Sequence, residues 1–428
     1  MKKIGLLGGG ISSLAIGYFL KKPFEILEKE DRCGGLCRSL IDKGYTFDPY
    51  GAHILFSKNE KVLNLEKKII GSNLKYRWRT SRISFKNRLM KYPFENDLQK
   101  LDPEDKYDCL YNYLFNNYPQ PHNLEEWFYY TFGKGIAEKY LLPYNRKIWK
   151  TKPSHMGMEW VERIPKPPKE DVIKSTLGIS TEGYKHQLNF LYPEKGGVEA
   201  MITSFMKKIK GEVITNFNVQ EIYKTSSGWL VKSEKESKEY QQIVSTIPIF
   251  ELIKSLKNIN VPKKVWKALN ELEYRALITV MFGLNVPNLT DLVAIYFPEE
   301  DFYPHRISFP PNFSPYTVPK NHFSLMAEIT VPKDGSYLKM PPAKIFKNVE
   351  EGLIKRKIIP KKSVVYKKME ITKYAYPVYS LSYTKNMKTI KDFLKSINLP
   401  ICGRFGGFEY INTDVCIEWA ERVAKELN

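Results

Sequence analysis

Cysteines are few in this chain and widely scattered. The five are Cys33, Cys37, Cys109, Cys402 and Cys416, an odd number without regular spacing. A secreted domain held together by disulfides needs more of them in pairs, so the pattern predicts reduced thiols in a cytoplasmic protein. Cys33 and Cys37 could form a redox-active pair, but their place beside two glycines favours an incidental spacing.

Histidine is also scarce, at six residues, and no group of histidines and cysteines has the spacing of a metal site. We therefore expect no metal. No apolar run reaches the roughly 18 residues that a membrane-spanning helix needs. The start, Met-Lys-Lys followed by apolar residues, could be a secretory signal, but glycines interrupt it and no small-residue cleavage site follows.

Acidic residues are outnumbered, 47 against 67 basic ones, which gives a formal net charge of +20. A basic protein can bind the phosphates of nucleic acids. Here the lysines are spread along the whole chain, with no basic tail and no known nucleic-acid-binding motif. The charge therefore favours anionic small molecules drawn to a basic cleft, and we expect no nucleic-acid partner.

What the chain does have is a glycine-rich turn close to its start. An apolar strand, Ile4–Leu7, runs into Gly8-Gly9-Gly10, where a helix is predicted to begin. Gly8 would permit the tight turn, and Gly10 would let the backbone approach a pyrophosphate at the helix N-terminus. Glu28 follows the second strand, where a carboxylate can hold a ribose hydroxyl. The pattern predicts a dinucleotide-binding unit.

A second glycine pair, Gly34-Gly35, follows that second strand. Two glycines there let the chain pass close to a cofactor without a side-chain clash. Together the two turns resemble the FAD-binding start of the flavoprotein superfamily that includes amine oxidases, protoporphyrinogen oxidases and sugar-nucleotide mutases. The resemblance implies FAD as the cofactor. The cofactor-binding residues implied here are Gly8, Gly10, Ser12, Ser13, Glu28, Lys29, Gly34, Gly35 and Leu36.

The order of strand and helix patterns predicts an α/β fold in three units. A strand at 243–247 is predicted to return to the first sheet, and an amphipathic helix at 415–427 to close it. We expect a discontinuous Rossmann-like FAD-binding domain formed by residues 1–58, 183–250 and 395–428. A mostly helical substrate or nucleotide domain at 59–182 and an antiparallel-sheet substrate domain at 251–394 would be inserted between its pieces.

Several clusters beyond the FAD turns resemble the UDP-galactopyranose mutase family, its eukaryotic branch more than its bacterial one. They occur in one order along nearly the whole chain, which is more specific than any single motif. The clusters include Gly51-Ala52-His53, Tyr92-Pro93-Phe94-Glu95, Pro143-Tyr144-Asn145, Trp160-Val161-Glu162-Arg163, Tyr296-Phe297-Pro298, Tyr376-Pro377 and Gly403-Arg404-Phe405.

The resemblance implies an isomerase that interconverts the pyranose and furanose forms of a UDP-sugar, UDP-galactopyranose and UDP-galactofuranose, without net redox change. In this family N5 of reduced FAD attacks the anomeric carbon and displaces UDP, which gives a flavin–sugar adduct before the ring opens and recloses. An external reductant such as NAD(P)H is implied as well. The oligomeric state stays open.

The resemblance also implies roles for particular residues. Arg163 and Arg306 would grip the diphosphate, a task that suits the guanidinium fork. His53 would lie beside the flavin ring, and Gly403 and Arg404 would hold the FAD pyrophosphate. The substrate-binding residues implied are Tyr92, Glu95, Tyr140, Asn145, Trp149, Gln187, Tyr296, Tyr376, Tyr410 and Asn412.

Some positions depart from the family pattern. Glu95 stands where an amide contacts uracil, and an ionised carboxylate cannot donate a hydrogen bond, so either base recognition differs or Glu95 is protonated. Ala294 stands where a tryptophan is usual, and Gln187 where an asparagine is usual. The sugar and the nucleotide therefore stay open. Two other functions remain in view: an oxidase or desaturase of the same superfamily, and a nucleotide-binding protein without catalysis.

Overall fold

The computed structural model describes residues 3–164, 166–181, 189–335 and 339–428. The strands are β1 (Ile4–Leu7), β2 (Phe24–Leu27), β3 (Leu40–Asp42), β4 (Tyr45–Phe47), β5 (Leu74–Trp78), β6 (Ser81–Phe85), β7 (Arg88–Lys91), β8 (Asn189–Pro193), β9 (Glu212–Ile214), β10 (Glu221–Thr225), β11 (Gly228–Lys232), β12 (Ser237–Tyr240), β13 (Gln242–Ser245), β14 (Glu273–Leu284), β15 (Ala294–Tyr296), β16 (Arg306–Ser308), β17 (Phe323–Pro332) and β18 (Val364–Val378).

The helices surround these strands and link them. They are α1 (Ile11–Phe19), α2 (Glu60–Ile70), α3 (Pro103–Leu114), α4 (Leu124–Ile136), α5 (Leu142–Trp149), α6 (Lys169–Thr176), α7 (Glu199–Met206), α8 (Ile249–Ser255), α9 (Lys263–Glu271), α10 (Pro342–Lys355), α11 (Tyr383–Ser396) and α12 (Thr413–Leu427). No helix within the described ranges is both long and apolar enough to cross a bilayer.

A parallel sheet forms the nucleotide-binding side, in the order β13-β1-β2-β9. Strand β1 is central and fully buried, which explains its unbroken apolar sequence, because both faces of a parallel sheet are covered. The predicted return strand is there as β13, paired with β1. Helices α1 and α12 pack against each other beside this sheet. The predicted Rossmann-like unit is confirmed.

A larger, mainly antiparallel sheet forms the other side, in the order β18-β14-β17-β16-β15-β6-β7. Strands β14 and β17 are almost wholly buried along their length. On one face of these two strands, apolar side chains such as Phe282 and Ile329 pack in the same cluster as Val349 of α10. The opposite face carries polar residues, because side chains alternate along a strand.

Helices α3 and α4 of the helical segment begin at residues that favour a helix N-terminus. Helix α3 has Asp102 before it, Pro103 at its first position and Glu104 and Asp105 in its first turn. Asn123 caps α4 by accepting from the backbone N–H of Glu126. The mixed α/β class predicted from the sequence is confirmed, while the limits of the three units stay a prediction.

Candidate active site

The two glycine turns lie side by side at the carboxyl end of β1. Gly8 has φ 94°, a left-handed conformation that other residues avoid. The N–H of Gly34 donates to the carbonyl of Gly9 at 2.8 Å, and Gly10 pairs with Gly34. A Cβ built on Gly10 would have nothing within 4 Å, so this glycine borders open space. The turns form the cradle that a pyrophosphate needs.

The N-terminus of α1 faces this cradle. No side chain of the described residues caps it, so its first N–H groups and its positive dipole end can serve an anion. Buried Ser12 and Ser13 lie in this first turn, and Ser13 hydrogen-bonds Thr246 at 3.0 Å. Gly403 passes so close that a Cβ there would lie 2.5 Å from the Ser12 hydroxyl. These residues fit the dinucleotide role predicted for them.

Glu28 directly follows β2, with its carboxylate buried at the base of the cradle. One oxygen accepts from the backbone N–H of Gly9 at 2.6 Å, and the other from that of Glu30 at 2.9 Å. The carboxylate is thus fixed beside the glycine turn, where a ribose can reach it. Lys29 instead points to solvent and pairs with Glu30 at 3.4 Å. Leu36 is half-buried and packs against the core.

Burial keeps the cysteines near this cradle inert. It raises the pKa of Cys33 and of Cys37 to about 12, so both thiols stay protonated at neutral pH. Each is a free, buried thiol. The structure therefore supports the incidental spacing expected for this pair.

Arg306 anchors the candidate substrate site on the polar face of the larger sheet. It lies directly opposite Glu328 of β17 and Tyr296 of β15, so the three side chains share one face. Its Nε donates to Glu328 Oε1 at 3.0 Å, and its Nη2 donates to Oε2 at 2.7 Å. Glu328 is completely buried. This two-pronged ion pair fixes the plane of the guanidinium.

Arg163 is an exposed residue that contacts Tyr410 and Asn412. Its guanidinium lies 4.5 Å from the centroid of the Tyr410 ring, and Nη2 donates to Asn412 Oδ1 at 2.6 Å. The Tyr410 ring is 5.7 Å from that of Tyr376, whose hydroxyl donates to Glu328 at 3.4 Å. A chain of ring contacts and hydrogen bonds thus links Arg163 to the partner of Arg306, and convergence of the two arginines on one ligand stays a prediction.

His53 lies within electrostatic reach of Arg404 and Arg306. Burial, together with the charges of Arg404 and Arg306, lowers the pKa of His53 to about 3. The imidazole is therefore neutral, and its Nδ1 has no hydrogen-bond partner among the residues that the structure describes. Arg404 donates from Nε to the carbonyl of Ile411 at 2.8 Å. His53 is thus a neutral imidazole near Arg404 and Arg306, with one ring nitrogen unpartnered among the described residues.

Aromatic rings form one wall of the site. Tyr140 stacks near-parallel with Phe94 at 5.2 Å and with Tyr144 at 5.5 Å. Tyr92 packs against Tyr296 at 5.0 Å, and Tyr144 meets Tyr296 edge-on at 5.8 Å. Such a wall suits a planar base and ribose.

Asn145 and Trp149 use their polar groups inside α5. The Asn145 amide donates to the carbonyl of Leu141 at 2.8 Å and accepts from Trp149 Nε1 at 3.0 Å. Trp149 is buried and meets Tyr410 edge-on at 5.5 Å. Both residues shape the wall in this structure, and their contact with base and ribose stays a prediction.

Glu95 is a buried carboxyl on the same wall, in the short turn Phe94–Asn96. It is 2% exposed, and burial raises its pKa to about 7. A substantial share of Glu95 is therefore protonated at neutral pH and can donate a hydrogen bond. Ala294 lies within the adjoining apolar cluster. Gln187 lies outside the described residues.

Glu328 and Arg79 were not predicted from the sequence. Glu328 completes the ion pair with Arg306, and Arg79 donates from Nη2 to the Tyr296 hydroxyl at 3.3 Å. No spacing marks these residues, because register between distant strands brings them in. One signal was available for Glu328: it is a charged residue within an apolar run, Leu325 to Val331.

Residues 7–68 match the model of the NAD(P)-binding Rossmann-like domain family. A curated UDP-galactopyranose mutase of Mycoplasma pneumoniae is 28% identical over 125 residues, which are 28% of this chain and 31% of that protein. The chain thus matches about a third of the length of this curated relative.

Solved structures extend the likeness to the whole chain. A crystal structure of reduced UDP-galactopyranose mutase matches with a TM-score of 0.91 at 24% identity, covering 100% of this chain and 94% of that one. The chain has the fold of a UDP-galactopyranose mutase. The mutase resemblance predicted from the sequence is confirmed for the fold.

Other solved structures share the mutase fold less closely. A putrescine oxidase bound to putrescine gives a TM-score of 0.69 at 14% identity, covering 100% of this chain and 98% of that one. A fatty acid isomerase from P. acnes gives 0.66 at 11%, covering 99% and 98%. The fold alone therefore admits several reactions, and the side chains of the site must decide among them.

Proposed function

We propose that this chain is an FAD-dependent isomerase that interconverts the pyranose and furanose forms of a UDP-sugar, in the simplest case UDP-galactose. The network Arg306–Glu328–Tyr376–Tyr410–Arg163, beside the glycine cradle, is the observation that carries the proposal. The partial match to a curated mutase and the closeness of the mutase fold support it.

The arginines supply what departure of UDP requires. Breaking the bond between the anomeric carbon and the diphosphate puts negative charge on the leaving phosphate, and preorganised cations stabilise that charge. Glu328 occupies the Nε–Nη2 edge of Arg306, so the Nη1 end points away from it and can meet a phosphate. Tyr376 and Tyr410 would add hydroxyl donors between Arg306 and Arg163.

The cradle residues fit FAD. Gly10, the N-terminus of α1 and Arg404 would hold its pyrophosphate, and Glu28 its ribose. Reduced FAD, when bound, would supply at N5 the nucleophile that displaces UDP from the anomeric carbon. Neutral His53 would hydrogen-bond at the meeting point of cofactor and sugar without adding charge. An external reductant such as NAD(P)H and a cytoplasmic location complete the proposal.

Turnover by the reduced, flavin-loaded protein tests this function. Dithionite-reduced protein mixed with UDP-galactofuranose should yield UDP-galactopyranose, detected by chromatography. The oxidised protein should yield none. Arg306→Ala and Arg163→Ala should each abolish conversion while flavin absorbance stays. No conversion of any UDP-hexose by correctly reduced wild type would refute the proposal.

An amine oxidase or desaturase is the second candidate, because putrescine oxidase shares the fold. Such an enzyme would consume oxygen or another acceptor and would not need arginines converging on the site. Binding of UDP separates the candidates: a mutase should bind UDP more tightly after reduction, and an oxidase should not bind it. A nucleotide-binding protein without catalysis should bind UDP in either redox state.

A further inference from the structure

Arg79 enters the candidate site from a segment that no motif marks. It lies between β5 and β6, in a stretch held to the larger sheet where the N–H of Val293 donates to the carbonyl of Thr80 at 2.9 Å. The next residue, Ser81, pairs with Ala294 at the start of β15. Arg79 is thus tied to the strand that carries Tyr296.

The Arg79 guanidinium lies against two tyrosines of the aromatic wall. Its Nη2 donates to the Tyr296 hydroxyl at 3.3 Å, and its central carbon is 5.3 Å from the centroid of the Tyr92 ring. Arg79 has further interactions as well, and a phosphate could join or replace these. The contacts place its charge against Tyr296 and Tyr92 of the wall.

Arg306 approaches the same tyrosine from the neighbouring strand β16. Arg306 and Tyr296 are directly paired between β15 and β16, so their Cβ atoms are about 5 Å apart. The positive charges of Arg79 and Arg306 both lower the pKa of Tyr296, against the effect of its burial. Two guanidinium groups therefore meet at one buried phenol oxygen.

This spacing suits a diphosphate. Two cations on either side of one hydroxyl present separate positive ends, and each guanidinium can accept a phosphoryl group through parallel N–H donors. Arg79 lies against Tyr92 of the wall, whereas Arg306 lies near Tyr376 and His53. The two arginines therefore belong to opposite ends of a bound nucleotide sugar.

We propose that Arg79 is a third phosphate-binding residue of this site, which holds the phosphate nearer the nucleoside while Arg306 holds the phosphate that bears the sugar. This inference rests on the proposed function in that it takes a nucleoside diphosphate as the ligand. It adds a binding residue to the arginine pair that the sequence resemblance supplied.

Nucleotides of different phosphate number test the assignment. With the FAD-loaded, dithionite-reduced protein, Arg79→Gln should weaken UDP and UMP alike, each about 10- to 100-fold as expected for one charged hydrogen-bonding partner. Uridine should bind unchanged. Arg306→Gln should weaken UDP far more than UMP. Arg79→Lys, which keeps the charge but loses the fork, should restore part of the lost affinity.

Arg82→Gln is the matched control, because Arg82 alternates with Ile83 on β6 and donates to the carbonyl of Ser81. Flavin absorbance and thermal melting should confirm that each variant is folded. Unchanged UDP and UMP binding in Arg79→Gln would overturn the assignment. An equal loss of uridine binding would also overturn it, because damage to the wall then explains the effect.

Inorganic pyrophosphate separates this inference from the proposed function. If the wild type binds pyrophosphate but no uridine nucleotide, the mutase proposal fails, and weaker pyrophosphate binding by Arg79→Gln still supports the phosphate site. Equal pyrophosphate binding by the two proteins would then reject the site. If the wild type binds neither ligand, both proposals are rejected.

Discussion

The cofactor cradle and the substrate site are built by opposite means. Most of the cradle comes from a short stretch of chain, Gly8 to Leu36, and it works mainly through backbone: glycine conformations, N–H groups and a helix end. The substrate site takes side chains from widely separated positions, among them Arg79, Arg163, Arg306 and Tyr410. The cradle should therefore respond to added atoms, and the site to removed charges.

Removing the charge of Glu328 is expected to have the largest effect. Breaking a buried ion pair leaves the partner's charge uncompensated, at a cost of about 3–5 kcal/mol. Because the Arg306 side chain is still 22% exposed, we expect Glu328→Gln to lower the free energy of unfolding by about 3 kcal/mol. Urea unfolding at pH 7 measures this, and turnover should fall as well.

Glu370→Gln is the matched control for that substitution. Glu370 lies on β18 opposite Thr279, in the same row of the sheet as Glu328, but at a half-buried position. Its loss should change the unfolding free energy by less than about 0.5 kcal/mol. Equal effects of the two variants would mean that Glu328 is no more important than another glutamate of this row.

A buried ionisable group should also make the substrate side sensitive to pH. Burial raises the pKa of Glu95 from 4.5 to about 7. The folded protein therefore holds this proton to higher pH than the unfolded chain, and the free energy of unfolding falls as the pH rises from about 4.5 to 7. In Glu95→Gln, the decrease in the free energy of unfolding over this pH range should be about 3 kcal/mol smaller than in the wild type. Urea unfolding at several pH values measures it.

Glu162→Gln should leave the pH profile of stability unchanged, because the Glu162 side chain is 85% exposed. A wild-type profile that matches Glu95→Gln would show that Glu95 ionises normally in the folded protein. Its proposed ability to donate a hydrogen bond at neutral pH would then be lost.

The same contrast explains which parts could be predicted from the sequence. Gly8, Gly10 and Glu28 act within one βαβ unit, so their spacing along the chain reflects their spacing in space. Arg163 and Arg306 came only from resemblance, since nothing in the sequence places two distant arginines together. Glu328 and Arg79 escaped both approaches, because strand register between β17, β16, β15 and β6 brings them to the site.

The fold, too, has parts that could be predicted from the sequence and parts that could not. The return strand β13 and helix α12 were predicted from local apolar patterns, which burial between sheet and helices imposes. The strand order of the larger sheet was not predicted, because it joins β6 and β7 to strands more than 180 residues further along the chain. Hydrophobic periodicity does not encode such pairing.

Two glycine variants test whether the cradle depends on space or on conformation. Gly8→Ala places a side chain at φ 94°, 2.9 Å from the Thr246 hydroxyl, and should lower the free energy of unfolding by about 1–3 kcal/mol. Gly10 has an ordinary φ of −77° and open space around it. Gly10→Ala should therefore fold normally yet bind FAD at least about tenfold more weakly, measured by flavin titration of the apoprotein. Normal FAD binding by Gly10→Ala would contradict the cradle.

Lys29 gives the smallest expected effect and the sharpest check on a cradle made of backbone. The resemblance makes it a cofactor-binding residue, but in the structure its side chain is 66% exposed and pairs with Glu30 at the surface. Exposed pairs of this kind contribute little to stability. Lys29→Ala should change the free energy of unfolding by less than about 0.5 kcal/mol and FAD affinity by less than about threefold. A tenfold loss of affinity would mean that a side chain, and not only the backbone, holds the cofactor on this side.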